Sequence, residues 1–474
     1  MDRIAELAAG HRAIEELTPV IAPLAKLFHE RGERLYLVGG SVRDAFLGRL
    51  GNDLDFTTSA RPEVVQAILE GYAPAVWDTG IEFGTVSAEK DGQQIEITTF
   101  RADSYDGVTR NPEVTFGSTL EGDLVRRDFA VNAMAVEFLT DGTFTLHDPQ
   151  HGFDDLMAGV LDTPSTPEQS FSDDPLRMLR AARFASQLEF DVAPRVRQAM
   201  EEMAPQIRRI TAERVRAELD KLILGAAPWV GIDLLVDTGL ADEVYPEISA
   251  LKLELDEHMR HKDVYAHSLT VLRQAIAQET DGPDLVLRWS ALLHDIGKPD
   301  TRAPKPGGGV TFHQHEVVGA RLARRRMRKL KYSKQMVAEV SKLISLHMRF
   351  YGFGDQEWSD SGVRRYITDA GDELPRLQKL VRSDCTTRNK KKADRLHRSL
   401  AHLDDRIAEV LEKEDLKKVL PAIDGNEIME ILGLEPGPMV GKAWKYMKEL
   451  RLERGPMERD EAVHELLEWW KSQQ

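Results

Sequence analysis

Asp53 and Asp55 stand two residues apart in "NDLDF". In a strand, alternate side chains share a face, so both carboxylates point one way while Leu54 and Phe56 enter a core. Two carboxylates held side by side repel each other unless a cation sits between them. Mg²⁺ suits such a pair, because it takes oxygen ligands and keeps substrate phosphates in its shell. Glu96, in the alternating "QIEITTF", is placed to bring a third carboxylate from a neighbouring strand. Three acids holding two metals would stabilise the attacking and leaving oxygens of an in-line phosphoryl displacement. Just upstream, "LYLVGGSVRDAFLGR" (35–49) reads as a buried strand, a bare Gly39-Gly40 turn and a helix start. There Ser41 is expected as N-cap, Asp44 as its capping-box partner and Arg43 as a charged fork beside a phosphate. Taken alone, each stretch also reads as a solvated strand or an unliganded turn; together they indicate phosphate chemistry on metal ions.

Two further sets carry chemistry. In "DDPLRMLRAARF", Asp174, Arg177 and Arg180 recur every third residue and follow one another on one side of a helix. A carboxylate accepts and a guanidinium donates, which suits the amine edge of cytosine or adenine and leaves groups unpaired against uracil or guanine. The competing reading makes Asp174 an ordinary N-cap before Pro175. Farther on, His267, the adjacent His294-Asp295, His315, His347 and Asp384 punctuate a helical stretch. Their order is similar to the HD phosphohydrolase signature, with His315 and His347 completing a second metal. Imidazoles mixed with carboxylates suit a divalent ion of the Mg, Mn or Ni kind. His313 fits the pattern less well than His315, His258 and His261 read as surface residues, and Cys385 as a small buried apolar side chain.

The elements that must position these groups fall into five sections. Residues 1–30 alternate apolar positions with acids at helical spacing and predict an amphipathic helix rather than a secretion signal. Residues 31–160 mix short strands with helices, an α/β pattern. Strand signals fade after "DTPSTPEQSFSDDP", and helical periodicity runs through 161–255, 256–385 and 386–474. With 474 residues the chain exceeds one core, and 42% apolar against 30% charged residues describes a soluble protein. No apolar run reaches the roughly 20 residues of a membrane span, and a single cysteine indicates a reducing, cytoplasmic setting. The net charge of −16 weighs against nucleic acid as a partner of the whole surface. Two local basic runs, 321–334 and 388–398, offset it; each reads equally as a solvated helix face or as a contact for RNA.

The joint set "LVGGSVRDAFLGR", "DLDFTT", "GDLVRRDFAVNAMA" (122–135), "DPQHGFDDL" (148–156) and "DDPLRMLRAARFASQL" (173–188) resembles the class II tRNA nucleotidyltransferases, with bacterial poly(A) polymerases as close relatives. The resemblance runs in order through residues 30–250 and implies a polymerase-β-like mixed-sheet head followed by all-α neck, HD and tail domains. It implies template-independent addition of CCA to tRNA from CTP and ATP, with Mg²⁺ on Asp53 and Asp55. In the family, the residues matching Asp174 and Arg177 read the base, those matching Arg180 and Arg183 hold the triphosphate, Arg127 contacts the nucleotide and Asn132 supports the site. Asp173 departs from the family's more usual Glu. The stretch 101–117 matches a loop that helps the family's pocket switch from C to A. Some members carry an HD domain resembling a phosphatase and cyclic phosphodiesterase. The rival readings are a poly(A) polymerase, an HD phosphohydrolase whose head only binds nucleotide, and a non-catalytic RNA-binding protein.

Overall fold

The computed structural model describes residues 3–101, 116–252, 264–306, 309–351, 358–387, 389–414 and 421–474. Most of the stretch 101–117, together with His258 and His261, lies outside them. The chain divides into two compact units, residues 1–244 and 245–474.

The first unit opens with a helix, Arg3–His29, whose Ile14, Ile21, Leu24 and Phe28 are buried at helical spacing. A seven-stranded mixed sheet follows: β1 (Leu35–Val38), β2 (Asp53–Thr58), β3 (Ala75–Trp77), β4 (Thr85–Lys90), β5 (Gln93–Thr99), β6 (Ala135–Phe138) and β7 (Phe144–His147). The spatial order is β3-β4-β5-β2-β1-β6-β7, with β2 and β5 parallel and all other neighbours antiparallel. β1 is central and buried throughout, as its run Leu-Tyr-Leu-Val predicts. β2 alternates as expected, with Leu54 and Phe56 buried and Asp53 and Asp55 on the open face. Behind the sheet's sequence come the helices Leu176–Leu188, Ala212–Ile223 and Pro228–Asp237, packed on one another through faces that include Leu179, Ala182, Leu219 and Leu235.

The second unit is helical. Helices Val264–Ile276, Leu285–Leu293, His315–Lys329, Lys334–Leu346 and Leu374–Asp384 surround a core that includes Trp289, Leu292, Val340 and Leu377. The helices Gly425–Leu432, Pro438–Arg454 and Arg459–Lys471 share a smaller core of Ile428, Met447 and Leu466. Two short ladders, Val160–Leu161 with Asp191–Val192 and Arg302–Pro304 with Val310–Phe312, lie in stretches largely read as helical. Pieces of two or three residues are too short to display a period of two. No helix among the described residues is long and apolar enough to cross a membrane.

Candidate active sites

The head holds a cleft of about 490 Å³ with Asp55 and Glu96 at its floor. These two stand opposite each other in the parallel β2–β5 register, and Asp53 is on the same face of β2. Burial within the cleft, and then the nearby Glu96 and Asp53 carboxylates, push the Asp55 carboxyl up to about 6, against the pull of Arg127 and Arg43. A carboxyl raised by its own kind in an open cleft is one that a divalent cation would return to the charged form. The donor set, oxygen only, fits a hard cation.

The turn before β2 is built differently from the expectation. Helix Gly40–Phe46 begins two residues earlier, with Gly39 as its cap at φ 69. A side chain at Gly39 would be strained in this left-handed region, and its Cβ would come 3.1 Å from Arg127 Nη1. Ser41 is therefore inside the helix and not its N-cap. Its hydroxyl donates to the Asp53 carbonyl (3.2 Å) and accepts from the Asp55 N–H (3.0 Å), so it fastens the turn to the strand carrying the acids. Asp44 caps nothing; it accepts a two-pronged contact from Arg43 (2.9 and 2.8 Å). Arg43 also donates to Asn132 Oδ1 at 2.6 Å, so its guanidinium is held inward and is not an open fork.

Arginines wall the cleft: Arg126 and Arg127 from the segment after helix Leu120–Val125, Arg177 and Arg180 from helix Leu176–Leu188, and Arg214 from helix Ala212–Ile223. Arg127 donates to Asp123 at 3.0 Å, while its Nε is buried without a partner. Asp174 and Arg177 do not pair. Asp174 lies in extended backbone before the helix begins, so the every-third-residue geometry does not reach it. Pro175, not Asp174, is the N-cap of the helix; one Asp174 carboxylate oxygen accepts from the Leu176 N–H (3.0 Å), and the other from Arg214 (2.8 Å). Arg177 donates instead to Ser170 Oγ (2.9 Å) and the Arg126 carbonyl (2.5 Å). Arg183 does not line the cleft; buried, and lowered to about 10 by that burial and by Arg180, it pairs with Glu218 at 3.0 Å.

Asp128 ties this wall together. It accepts from Arg180 Nε (2.7 Å), from the Asn132 amide (3.0 Å) and from the Phe129 N–H (2.9 Å). Burial opposes its charge, yet Arg180 and Asn132 outweigh burial and hold its carboxyl well below the usual range. Asp128→Ala should therefore cost about 1.5–3 kcal/mol, since it removes a buried carboxylate's charge-assisted bonds to Arg180 and Asn132. A depressed carboxylate contributes stability above its unfolded value and loses it as pH falls. The gap between wild type and variant in a urea melt should accordingly be widest at neutral pH, begin to narrow as pH falls toward about 4, and go on narrowing in stronger acid; a gap independent of pH would reject the charge as its cause.

In the second unit the six expected residues converge. His267, His294 and Asp295 form one group able to hold a metal, and Asp295, His315 and His347 another. Asp295 belongs to both: Oδ2 is 3.2 Å from His294 Nε2 and Oδ1 is 3.3 Å from His315 Nε2. Asp384 joins the first group, 2.9 Å from His267 Nε2. The Nδ1 atoms of His294, His315 and His347 face the carbonyls of Ala291 (2.9 Å), Phe312 (2.8 Å) and Ile344 (2.7 Å). Each carbonyl fixes the proton on Nδ1 and turns the Nε2 lone pair inward, the arrangement of a metal-ligating imidazole. Two such nitrogens, those of His315 and His347, lie 3.3 Å apart, where facing lone pairs repel unless a cation separates them. Burial pushes His347 down to about 4, so it is neutral and free to ligate at ordinary pH. Gly297, next to this pair, is required by packing: its Cβ would lie 2.1 Å from the His315 carbonyl.

Sequence reasoning missed Arg214, Asp123 and Arg101 in the cleft, and gave Asp128 no role. Arg214 and Arg101 carry no motif of their own. Asp128 directly follows two arginines, a signal for a charge-paired carboxylate. Around the histidines it missed Lys298, 2.6 Å from Asp295, and Tyr351, 3.2 Å from Asp384. Cys385 is buried, as expected.

Three family models match in order: the poly(A) polymerase head domain over residues 35–162, a probable RNA- and SrmB-binding site of polymerase A over 189–252, and the HD domain over 264–399. The A-adding tRNA nucleotidyltransferase of Deinococcus radiodurans is 33% identical over 427 residues, covering 88% of this chain and 91% of that protein. The CCA-adding enzyme of Levilactobacillus brevis is 40% identical over 235 residues, 49% of this chain; the chain spans only 57% of that relative's length. Among solved structures, the Bacillus stearothermophilus CCA-adding enzyme in complex with CTP superposes with a TM-score of 0.68 at 26% identity, over 96% of this chain and 97% of that one.

Proposed function

The chain belongs to the tRNA nucleotidyltransferase family, with a poly(A) polymerase-type head and an HD domain, and from that premise we propose that it adds CCA to tRNA 3′ ends from CTP and ATP without a template. The observation that carries this reading is the Asp55–Glu96 pair flooring a cleft walled by Arg127, Arg177, Arg180 and Arg214. Carboxylates for cations and guanidiniums for a polyphosphate are what transfer from a nucleoside triphosphate needs. In this reading Asp53, Asp55 and Glu96 hold Mg²⁺, which supplies Lewis-acid charge to the phosphoryl group under attack. Gly39 and Gly40 leave backbone space beside it. Arg127 and Arg180 neutralise the triphosphate, and Arg43, Asn132 and Arg183 hold those arginines and their helix in place. The RNA 3′-hydroxyl attacks the α-phosphorus, the bond to pyrophosphate breaks, and pyrophosphate leaves. The same family reading gives the six residues of the second unit a metal-dependent phosphohydrolase activity toward phosphate ends, on a divalent cation of the Mg, Mn or Ni kind. The five-section division of the chain and a cytoplasmic setting are part of this proposal.

One observation favours a second reading. A relative matched over 91% of its own length is named an A-adding tRNA nucleotidyltransferase. The deciding experiment supplies one NTP at a time, with Mg²⁺, to tRNA transcripts ending before CCA, after C and after CC. Two C residues from CTP, then one A from ATP, support full CCA addition. Extension of only the CC-ended transcript, and only by A, decides for the narrower activity, and long A tracts on any RNA decide for a polymerase.

Base choice follows from Asp174 and Arg177, as the acceptor and donor for a Watson–Crick edge. Asp174 is held ready by Arg214, so Asp174→Ala should reduce the preference for CTP over UTP by roughly 10- to 150-fold, the worth of a charge-assisted hydrogen bond at about 1.5–3 kcal/mol. The ratio of kcat/KM for the two nucleotides reads this directly. An unchanged ratio beside a lowered melting temperature would leave Asp174 only its structural bonds to Leu176 and Arg214.

A further inference from the structure

The first basic run, 321–334, occupies the end of helix His315–Lys329 and the start of helix Lys334–Leu346, which lie side by side. Its arginines are not all alike. Arg325 and Arg326 turn to Glu247 (3.8 and 2.9 Å) and are neutralised there. Arg324 and Arg328 turn the other way. With Lys334, Lys342, Ser341 and Tyr332 they line a hollow of about 430 Å³ between the two helices. Among the described residues no carboxylate lies within ion-pair distance of these four cations. Arg324 is steadied by donating to the Ser341 hydroxyl at 3.2 Å.

In a chain with 79 acids against 63 basic residues, four cations gathered without a counter-charge are not a by-product of composition. Like charges around one concavity repel, and the arrangement is relieved when an anion enters. Arg324 and Arg328 stand one helical turn apart, about 6 Å along the axis, so the hollow presents a row of cations and not a single point. Hydroxyls among guanidiniums and ammoniums are the donors that contact phosphate oxygens without reading bases.

We propose that this hollow binds the sugar–phosphate backbone of RNA and contributes sequence-independent affinity for the RNA substrate. The inference rests on the reading of the chain as an RNA-modifying enzyme, but its test does not need nucleotide addition. In the second basic run, Lys390, Lys391 and Lys392 are exposed along one helix.

The test is a triple variant, Arg328→Ala with Lys334→Ala and Lys342→Ala, which spares the Arg324–Ser341 bond. Affinity for a tRNA transcript and for an unrelated RNA duplex is measured in the full chain from 50 to 300 mM salt. Three lost phosphate contacts should weaken binding of both RNAs and flatten the slope of log K against log[salt] by about 2 to 3. The rate of nucleotide addition at saturating tRNA, and KM for CTP, should not change. Unchanged affinity and slope would leave the run as a solvated helix face and overturn the proposal. Weaker binding of ATP or inorganic pyrophosphate with RNA binding intact would overturn it in favour of a small phosphorylated ligand. If the wild type adds no nucleotide but the RNA slope still falls in the variant, the hollow keeps its role and the reading of the head fails.

Discussion

Asp55→Ala should take nucleotide addition below detection while the protein keeps its fold. The carboxylate is on the open face of β2, paired in register with Glu96 and crowded by Asp53. Removing it relieves repulsion and opens no core cavity, so the melting temperature should stay the same or rise slightly. The loss of activity should be large, because a carboxylate that holds catalytic cations supports several kcal/mol of transition-state stabilisation, on the order of 10³-fold or more. Asp53→Ala should behave likewise. Asp55→Asn is the sharper control: it keeps shape and hydrogen-bonding capacity but gives up the charge, and it should be nearly as inactive. Extension of a CC-ended tRNA at the wild-type rate by any of the three, in Mg²⁺, would remove these residues from the mechanism.

The second large effect is confined to the other unit. Asp295 belongs to both metal-capable groups, so Asp295→Ala combined with His294→Ala should empty both and abolish hydrolysis of a phosphomonoester or a 2′,3′-cyclic phosphate. CCA addition should continue, since its residues all lie within 1–244. Both side chains are buried, so the double variant also risks the fold. His347→Ala offers the second measurement: it touches only one group and should lower bound metal per chain without emptying the site. Metal content and a thermal melt taken beside activity separate loss of ligands from loss of structure. Loss of CCA addition at unchanged stability would show the two chemistries to be coupled and the division between them wrong.

Much of this was readable before any coordinates. Alternation in "DLDF" put Asp53 and Asp55 on one face because a strand's side-chain period is two wherever the strand lies, and "LYLV" marked a buried strand by its unbroken apolar run. The histidine centre was readable for a different reason. Six residues of metal-ligating type spaced over 118 positions (267 to 384) have little else to explain them, and chemistry of side chains survives the loss of geometry. The joint order of motifs carried the family.

Tertiary structure decided the pairings. Helical spacing matched Asp174 with Arg177, but the helix begins at Leu176, and a helix from elsewhere in the unit brings Arg214 to the carboxylate instead. Ser41 looked like a cap because caps are a local code; whether its hydroxyl turned to the helix or to β2 depended on where Gly39 let the helix start. Arg43 and Arg183 carry the same charge as Arg180, yet only Arg180 lines the cleft, because Asp44, Asn132 and Glu218 claim the other two. Within the basic run 321–334, Arg325 and Arg326 pair with Glu247 while Arg324 and Arg328 line a hollow. Residue type and period act over a few neighbours and are written along the chain. Which opposite charge reaches Arg183, Arg214, Arg180 or Arg326 depends on contacts across 35 to 79 positions, and only the fold supplies those.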